Sequence, residues 1–207
     1  MDRKTARRIA LLIHVGAWIP LATLAWMAWQ GHLGPVPVLI ATRLLGRYAL
    51  ALLLLSLVPT AVRIIFDLDA AVRFRRPLGL YAFFYALLHV LAFVGLDYRL
   101  ALDLIIVAVL QSRRELIGLA AFAILLVLAL TSIPGLVKRL GRNWKRIHRS
   151  VFLAAGFVVL HAIWNYKELR AWPLFAGAAL ILLLILRLPP VASLLHRWRK
   201  SEANSTG

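Results

Sequence analysis

The chain is a series of long apolar runs divided by short polar stretches. Six runs stand out: Ile9–Trp29, Leu44–Phe66, Pro77–Leu96, Glu115–Val137, Ile147–Tyr166 and Ala171–Leu188. Each approaches or exceeds the roughly 20 residues that a helix needs to cross a bilayer core of about 30 Å. In lipid every backbone polar group must be satisfied within the segment, so these runs predict helices. The pattern predicts an all-α membrane protein, a bundle of six transmembrane helices. A seventh stretch, "ALDLIIVAVL" at 101–110, is too short to span and carries Asp103, which predicts an interfacial or re-entrant helix. The first run follows "MDRKTARR" but ends in "AWMAWQ" rather than in a small-residue cleavage site, and reads as a retained helix.

Composition agrees with this picture. Of 207 residues 62% are hydrophobic and 16% charged, and the mean hydropathy is +0.83. A soluble domain is closer to half apolar and a quarter charged. The organisation expected is a short N-terminal segment (1–8), the membrane domain (9–188) and a basic tail (189–207). Within the tail, "RLPPVASLLHRWRK" reads as a basic amphipathic segment at the membrane surface and "SEANSTG" as a frayed end. No internal repeat with a clear period is visible. The absence of cysteine excludes disulfides, thiolate metal sites and thiol redox chemistry.

Charge sets the orientation. With a cytoplasmic N-terminus, 17 of the 25 Lys and Arg fall in cytoplasmic segments, seven lie opposite, and Arg63 lies within a run. The positive-inside rule then places both termini in the cytoplasm. The net charge of +17 follows from this topology and from attraction to anionic membrane lipid. Nucleic acid is a poor fit, because the cations are dispersed over short loops without a recognition motif. Most of the seven tryptophans fall near run ends, as an aromatic belt requires.

The polar residues inside or bordering the runs are His14, Arg47, Arg63, His89, His148 and His161, with no Asp or Glu in a run interior. Proton pumps and many ion-coupled transporters carry intramembrane carboxylates, so the set argues against that class. His89 lies 12 residues into the third run and His161 lies 14 residues into the fifth, both entering from the cytoplasmic side. At 1.5 Å per residue both are roughly 18–21 Å deep, on helices of the same direction. Two imidazoles facing each other at one depth can hold the iron of a b-type haem. They can also be two unrelated interhelical hydrogen-bond donors. No C-x-x-C-H occurs, which excludes covalent haem attachment.

His148 is harder to place. It lies roughly 20 Å from His161 along the helix and roughly 140° around it, so the two share no narrow stripe unless a distortion, for instance near Gly156, closes the gap. In "KRIHRS" it reads equally as a ligand and as a surface histidine. His14, about five residues into the first run, is a candidate ligand, a hydrogen-bond donor to a quinone carbonyl, or a partner of a neighbouring helix. Arg47 lies at the depth of an outer haem's propionates, which arginine meets with two parallel hydrogen bonds, and reads equally as a topology signal that snorkels to headgroups. Arg75 and Arg76, at the cytoplasmic edge, read as topology signals and headgroup contacts.

Three segments carry a family resemblance: "LLGRYALALLLLSLVPTAVR" (44–63), "RRPLGLYAFFYALLHV" (75–90) and "LTSIPGLVKRLGRNWKRIHRSVFLAAGFVVLHAIW" (130–164). They resemble the haem-binding membrane subunit of the bacterial periplasmic methionine sulfoxide reductase system, within the wider ferric-reductase-like transmembrane family. The most specific element is L-G-x-x-W-x-x-[IL]-H with a second histidine 13 residues later. The resemblance implies a cytochrome of the bacterial inner membrane. It would take electrons from the quinone pool or a cytoplasmic flavin reductase and pass them through haem b to a periplasmic molybdopterin enzyme that reduces methionine sulfoxide in damaged proteins. It implies His89 and His161 as axial ligands of a periplasmic-side haem and His148 as a ligand of a second, cytoplasmic-side haem.

The broader family carries two histidines on each of two helices. Here the position about four turns before His89 is Arg75, so a second haem lacks a histidine partner: either another residue serves, His14 being one candidate, or the chain holds one haem. FMN also belongs to some descriptions of the family, but no phosphate-cradling glycine loop marks a flavin site here. Two other classes remain open: a ferric reductase or oxidase-like cytochrome with another acceptor, and a small cofactor-free transporter or assembly factor.

Overall fold

The computed structural model describes residues 2–165, 171–194 and 197. The expected run end at Tyr166, the loop cations Lys167 and Arg170, Trp198, the tail cations Arg199 and Lys200, and "SEANSTG" lie outside the described residues. Helices α1 (Arg3–Trp29) and α2 (Pro37–Phe66) are followed by a 3₁₀ segment (Asp69–Phe74) and α3 (Arg75–Ala92), which runs on as a π-turn (Phe93–Asp97). Then come α4 (Leu102–Gln111), α5 (Arg113–Leu130), α6 (Pro134–Leu140), α7 (Arg142–His148), α8 (Val151–Asn165) and α9 (Ala171–Ile185). No strand occurs among the described residues.

Within the described residues each expected run is mostly helical, but not every one is a straight span. Four stretches are long and apolar enough to cross a membrane: Arg3–Trp29, Pro37–Phe66, Asp69–Asp97 and Arg142–Asn165. The expected fourth run, Glu115–Val137, breaks after Leu130, and α6 leaves α5 at 92°. The cause is local. Thr131 Oγ1 donates to the Val127 carbonyl at 2.7 Å and Ser132 Oγ to the Leu128 carbonyl at 2.8 Å, while Pro134 takes the first turn of α6. Hydroxyls turned back on carbonyls bend a helix, and proline cannot continue it. At the other end of α5, Ser112 Oγ caps the Glu115 amide. Helix α9 has 15 residues, roughly 22 Å of rise. The stretch at 101–110 is the short helix α4, without a buried residue.

Another interruption separates α7 from α8 at Arg149 and Ser150, while α8 runs unbroken through Gly156. The interruption between His148 and His161 therefore lies at 149–150 rather than near Gly156. Between α6 and α7 the chain turns on Gly141 at φ +48°, ψ −120°, a conformation that side chains resist.

Helix α2 is the central element. Its Leu50, Leu53 and Leu57 are each 1% exposed, and it packs most closely on α3, with α8 and α9 on its other sides. Helices α5 and α8 form the second close pair. Small residues let these backbones approach: Ala82, Ala154 and Ala155 are fully buried. The outer surface is the reverse of a soluble protein's. Leu12, Trp29 and Phe175 are 70%, 80% and 69% exposed, among many large apolar side chains facing outward. With the apolar helices this marks a membrane protein.

Helix α1 is held to the bundle by an inserted hydroxyl. Pro20 disrupts the ladder of α1. One residue later, the fully buried Tyr85 of α3 accepts from the Leu21 amide at 3.1 Å and donates to the Ala17 carbonyl at 2.6 Å. Its oxygen replaces one rung of the broken ladder. Tyr85→Phe leaves both backbone groups buried without this partner, so the folded chain should lose about 1–3 kcal/mol. A lowered thermal midpoint of the detergent-solubilised protein checks it, and an unchanged midpoint refutes the bridge.

Candidate cofactor site

His89 on α3 and His161 on α8 face each other across the bundle, ring centres 6.3 Å apart and planes at 78°. Each ring is held the same way. His89 Nδ1 donates to the Thr42 carbonyl on α2 at 2.8 Å, and His161 Nδ1 donates to the Arg114 carbonyl on α5 at 2.9 Å. With Nδ1 protonated for that bond, Nε2 keeps its lone pair. In both cases histidine and carbonyl are 47 residues apart, and a glycine follows the carbonyl one turn later, Gly46 and Gly118. The α2–α3 and α5–α8 pairs therefore place histidine, carbonyl and glycine at the same spacings. Thr42 has a second task, because its hydroxyl donates to Asp97 Oδ2 at 3.1 Å. Arg114 pairs through its side chain with Glu115.

The two rings open on a cavity of about 450 Å³. Its walls are mostly apolar, from Leu50, Leu53, Val90, Phe93, Phe122 and Val158, with Ile105, Ile106, Val109 and Leu110 of α4 along one side. Polar groups gather at one end: Arg43, Arg47, Glu115, Asn165 and Trp172. The Arg47 guanidinium lies 5.9 Å from the centre of the Trp172 ring. Among the described residues there is no cluster of three or more His, Cys, Asp or Glu able to hold a bare metal ion. A pair of opposed imidazoles suits a metal that brings its other ligands with it. The point midway is about 3 Å from each ring centre, which is the reach of a metal–imidazole bond of about 2 Å. A flat apolar macrocycle with anionic groups toward Arg43 and Arg47 fits this donor set.

A second cavity, about 780 Å³, lies on the other side of Leu53 and Leu125, which line both. Its lining among the described residues is strongly basic, with Arg63, Arg73, Arg75, Arg76, Lys145, Arg149 and Arg187 and no carboxylate. Arg76 donates to the Ser132 carbonyl at 2.6 Å. Arg187 reaches back from the end of α9 to the Leu57 carbonyl at 2.6 Å, over the Phe152 ring. The Arg187 Nε and Thr60 Oγ1 atoms are buried without a hydrogen-bond partner. Among the described residues, His148 is the one histidine in this lining. It stacks on Trp144, ring centres 4.0 Å apart, and its Nε2 lies 3.2 Å from Thr131 Oγ1.

The sequence-derived candidates thus separate. His89, His161 and Arg47 meet at the first cavity, and His148, Arg63, Arg75 and Arg76 meet at the second. Arg75 and Arg76, expected as topology signals alone, line a cavity. His14 lies on the exposed face of α1, its Nδ1 2.9 Å from the Tyr81 hydroxyl, and lines neither cavity. Thr42, Gly46, Gly118, Arg43 and Trp172 were not singled out from the sequence.

A family model described as "Ferric reductase like transmembrane component" matches residues 45–159. The protein-methionine-sulfoxide reductase heme-binding subunit MsrQ of Xanthomonas axonopodis pv. citri is 38% identical over 179 residues, covering 83% of this chain and 82% of the relative. The protein of the same name from Caulobacter vibrioides is 37% identical over 177 residues, covering 85% and 84%. The magnetosome protein MamZ of Paramagnetospirillum magneticum is 36% identical over 171 residues, covering 82% of this chain but 26% of that longer protein.

The leucine partition gives a direct test of the packing. Leu53→Ala joins the two cavities and should cost about 2–5 kcal/mol. Chemical or thermal unfolding in detergent measures it.

Proposed function

This chain belongs to the ferric reductase like transmembrane family, and on that premise we propose that it is a b-type cytochrome of the bacterial inner membrane. Its electrons come from the quinone pool or a cytoplasmic flavin reductase. They pass to a periplasmic molybdopterin-containing methionine sulfoxide reductase that repairs oxidised proteins. The names of the relatives, heme-binding subunits of a methionine-sulfoxide reductase, support that acceptor. The six helical runs form the membrane domain, with both termini cytoplasmic.

The observation that carries the reading is the facing pair His89 and His161, each with Nδ1 on a helix carbonyl and both opening on one apolar cavity. Haem, when bound, takes up and gives off one electron at a time. The chain's own residues do the rest. The two carbonyl bonds fix each ring's tautomer, leaving Nε2 to hold iron. The apolar walls keep water from the iron. Arg43 and Arg47 would meet that group's carboxylates at the polar end.

His148 would hold a second, cytoplasmic-side haem in the basic cavity, whose cations would neutralise that group's carboxylates. Among the described residues no second histidine lines that cavity. FMN, with its phosphate, is the competing occupant there. His14 stays outside the electron path and ties α1 to α3 through Tyr81.

His89→Ala and His161→Ala should each abolish the α-band of one low-spin haem in the reduced-minus-oxidised spectrum; a full band in either variant sinks the assignment. His148→Ala should remove the inner haem, leave the outer one and slow its reduction by quinol. Wild-type haem content together with a wild-type reduction rate would leave His148 a loop residue, and flavin released on denaturation would assign the inner cavity to FMN. For topology, a reporter active only in the periplasm should be silent after Lys200 and active at Gly34.

A further inference from the structure

The glycines Gly46 and Gly118 stand against the two histidine rings. A Cβ at Gly118 would lie 2.7 Å from Nδ1 and 2.9 Å from Cε1 of His161. At Gly46 it would lie 3.0 Å and 3.1 Å from the same atoms of His89. The three nearest atoms to each position all belong to the histidine ring. Gly16 and Gly156, also within helices, have nothing within 4 Å. A mid-helix glycine weakens its helix, and alanine would be the better helix former.

We propose that Gly46 and Gly118 are positioning residues that set the planes of the two imidazoles. The idea rests on the reading of His89 and His161 as ligands of one haem. Two contacts define each ring. The carbonyl of Thr42 or Arg114 fixes Nδ1, and the bare Cα one turn later forms a flat seat that fixes rotation about the Cβ–Cγ bond. The seats belong to different helices, α2 and α5, so the planes are set independently, at 78° to each other. A methyl group on either seat must tilt the ring or break its carbonyl bond, because the ring itself is the obstructing group. The tighter contact at Gly118 makes that site the more sensitive.

The angle has a spectroscopic signature. Ferric low-spin haem with nearly perpendicular imidazole planes gives a highly anisotropic electron paramagnetic resonance signal, whereas near-parallel planes give a rhombic one. The test uses the haem-loaded full chain in detergent, as wild type, Gly46→Ala, Gly118→Ala and Gly156→Ala. Haem per chain, the ferric resonance, the midpoint potential and the thermal midpoint are read for each.

Wild type and Gly156→Ala should share the anisotropic signal. Gly46→Ala should keep haem with a displaced resonance and a shifted potential. Gly118→Ala should lose most of the low-spin haem. A merely helical glycine predicts the opposite, a higher thermal midpoint with the resonance unmoved. Wild-type resonance and potential in both Gly46→Ala and Gly118→Ala overturn the proposal. If Gly118→Ala does not accumulate, Gly46→Ala alone decides. Full low-spin haem in His89→Ala would instead overturn the ligand reading itself, so the two failures are distinguishable.

Discussion

A ring nitrogen placed in an apolar bundle needs a partner, and here both facing histidines find it in a helix carbonyl. The bonds from His89 to Thr42 and from His161 to Arg114 are interhelical, so each dictates which helices stand side by side and at what rotation. The closest helix pairs, α2 with α3 and α5 with α8, are the two that these bonds join. Between the pairs the imidazoles meet, and the cavity they line exists because the surrounding side chains belong to helices held apart at that spacing.

The rest of the bundle accommodates that arrangement. Helix α2 supplies the seat for one ring at one end and, with Leu53, a wall of both cavities further along. The same side of α3 that carries His89 sends Tyr85 into the gap left by Pro20. Thr42 couples the ligand seat to the π-turn through Asp97, so the end of α3 is bound to the start of α2 by two separate groups.

Much of this was legible in the chain, and the omissions have physical reasons. The helical runs follow from apolar length alone, because a membrane leaves the backbone no alternative. Depth matching of His89 and His161 was readable because rise per residue is fixed. The break after Leu130 was written in Thr131, Ser132 and Pro134, yet the apolar run continuing to Val137 hid it. Hydropathy weighs side chains and is blind to a hydroxyl bonding its own helix. Gly46 and Gly118 were illegible singly, since a glycine's purpose lies in what approaches it from another helix. The pairing became visible only when each was measured against its histidine. Arg75 and Arg76 satisfied the topology rule so well that their second setting, a shared cavity with Arg187 from more than a hundred residues away, had no reason to be sought.

The two leucines shared by the cavities have a further consequence. The side chains of Leu53 and Leu125 offer neither a donor nor an acceptor, so no hydrogen-bonded chain can run through those side chains from one chamber to the other. An electron tunnels through such a barrier, while a proton, which must hop between polar groups, is stopped. Carriers placed on either side would therefore exchange negative charge alone. Each transfer would do work with or against the membrane voltage, about 2.3 kcal/mol for a full crossing at 100 mV and less for this partial one. The rate through this protein would then register the energised state of the cell.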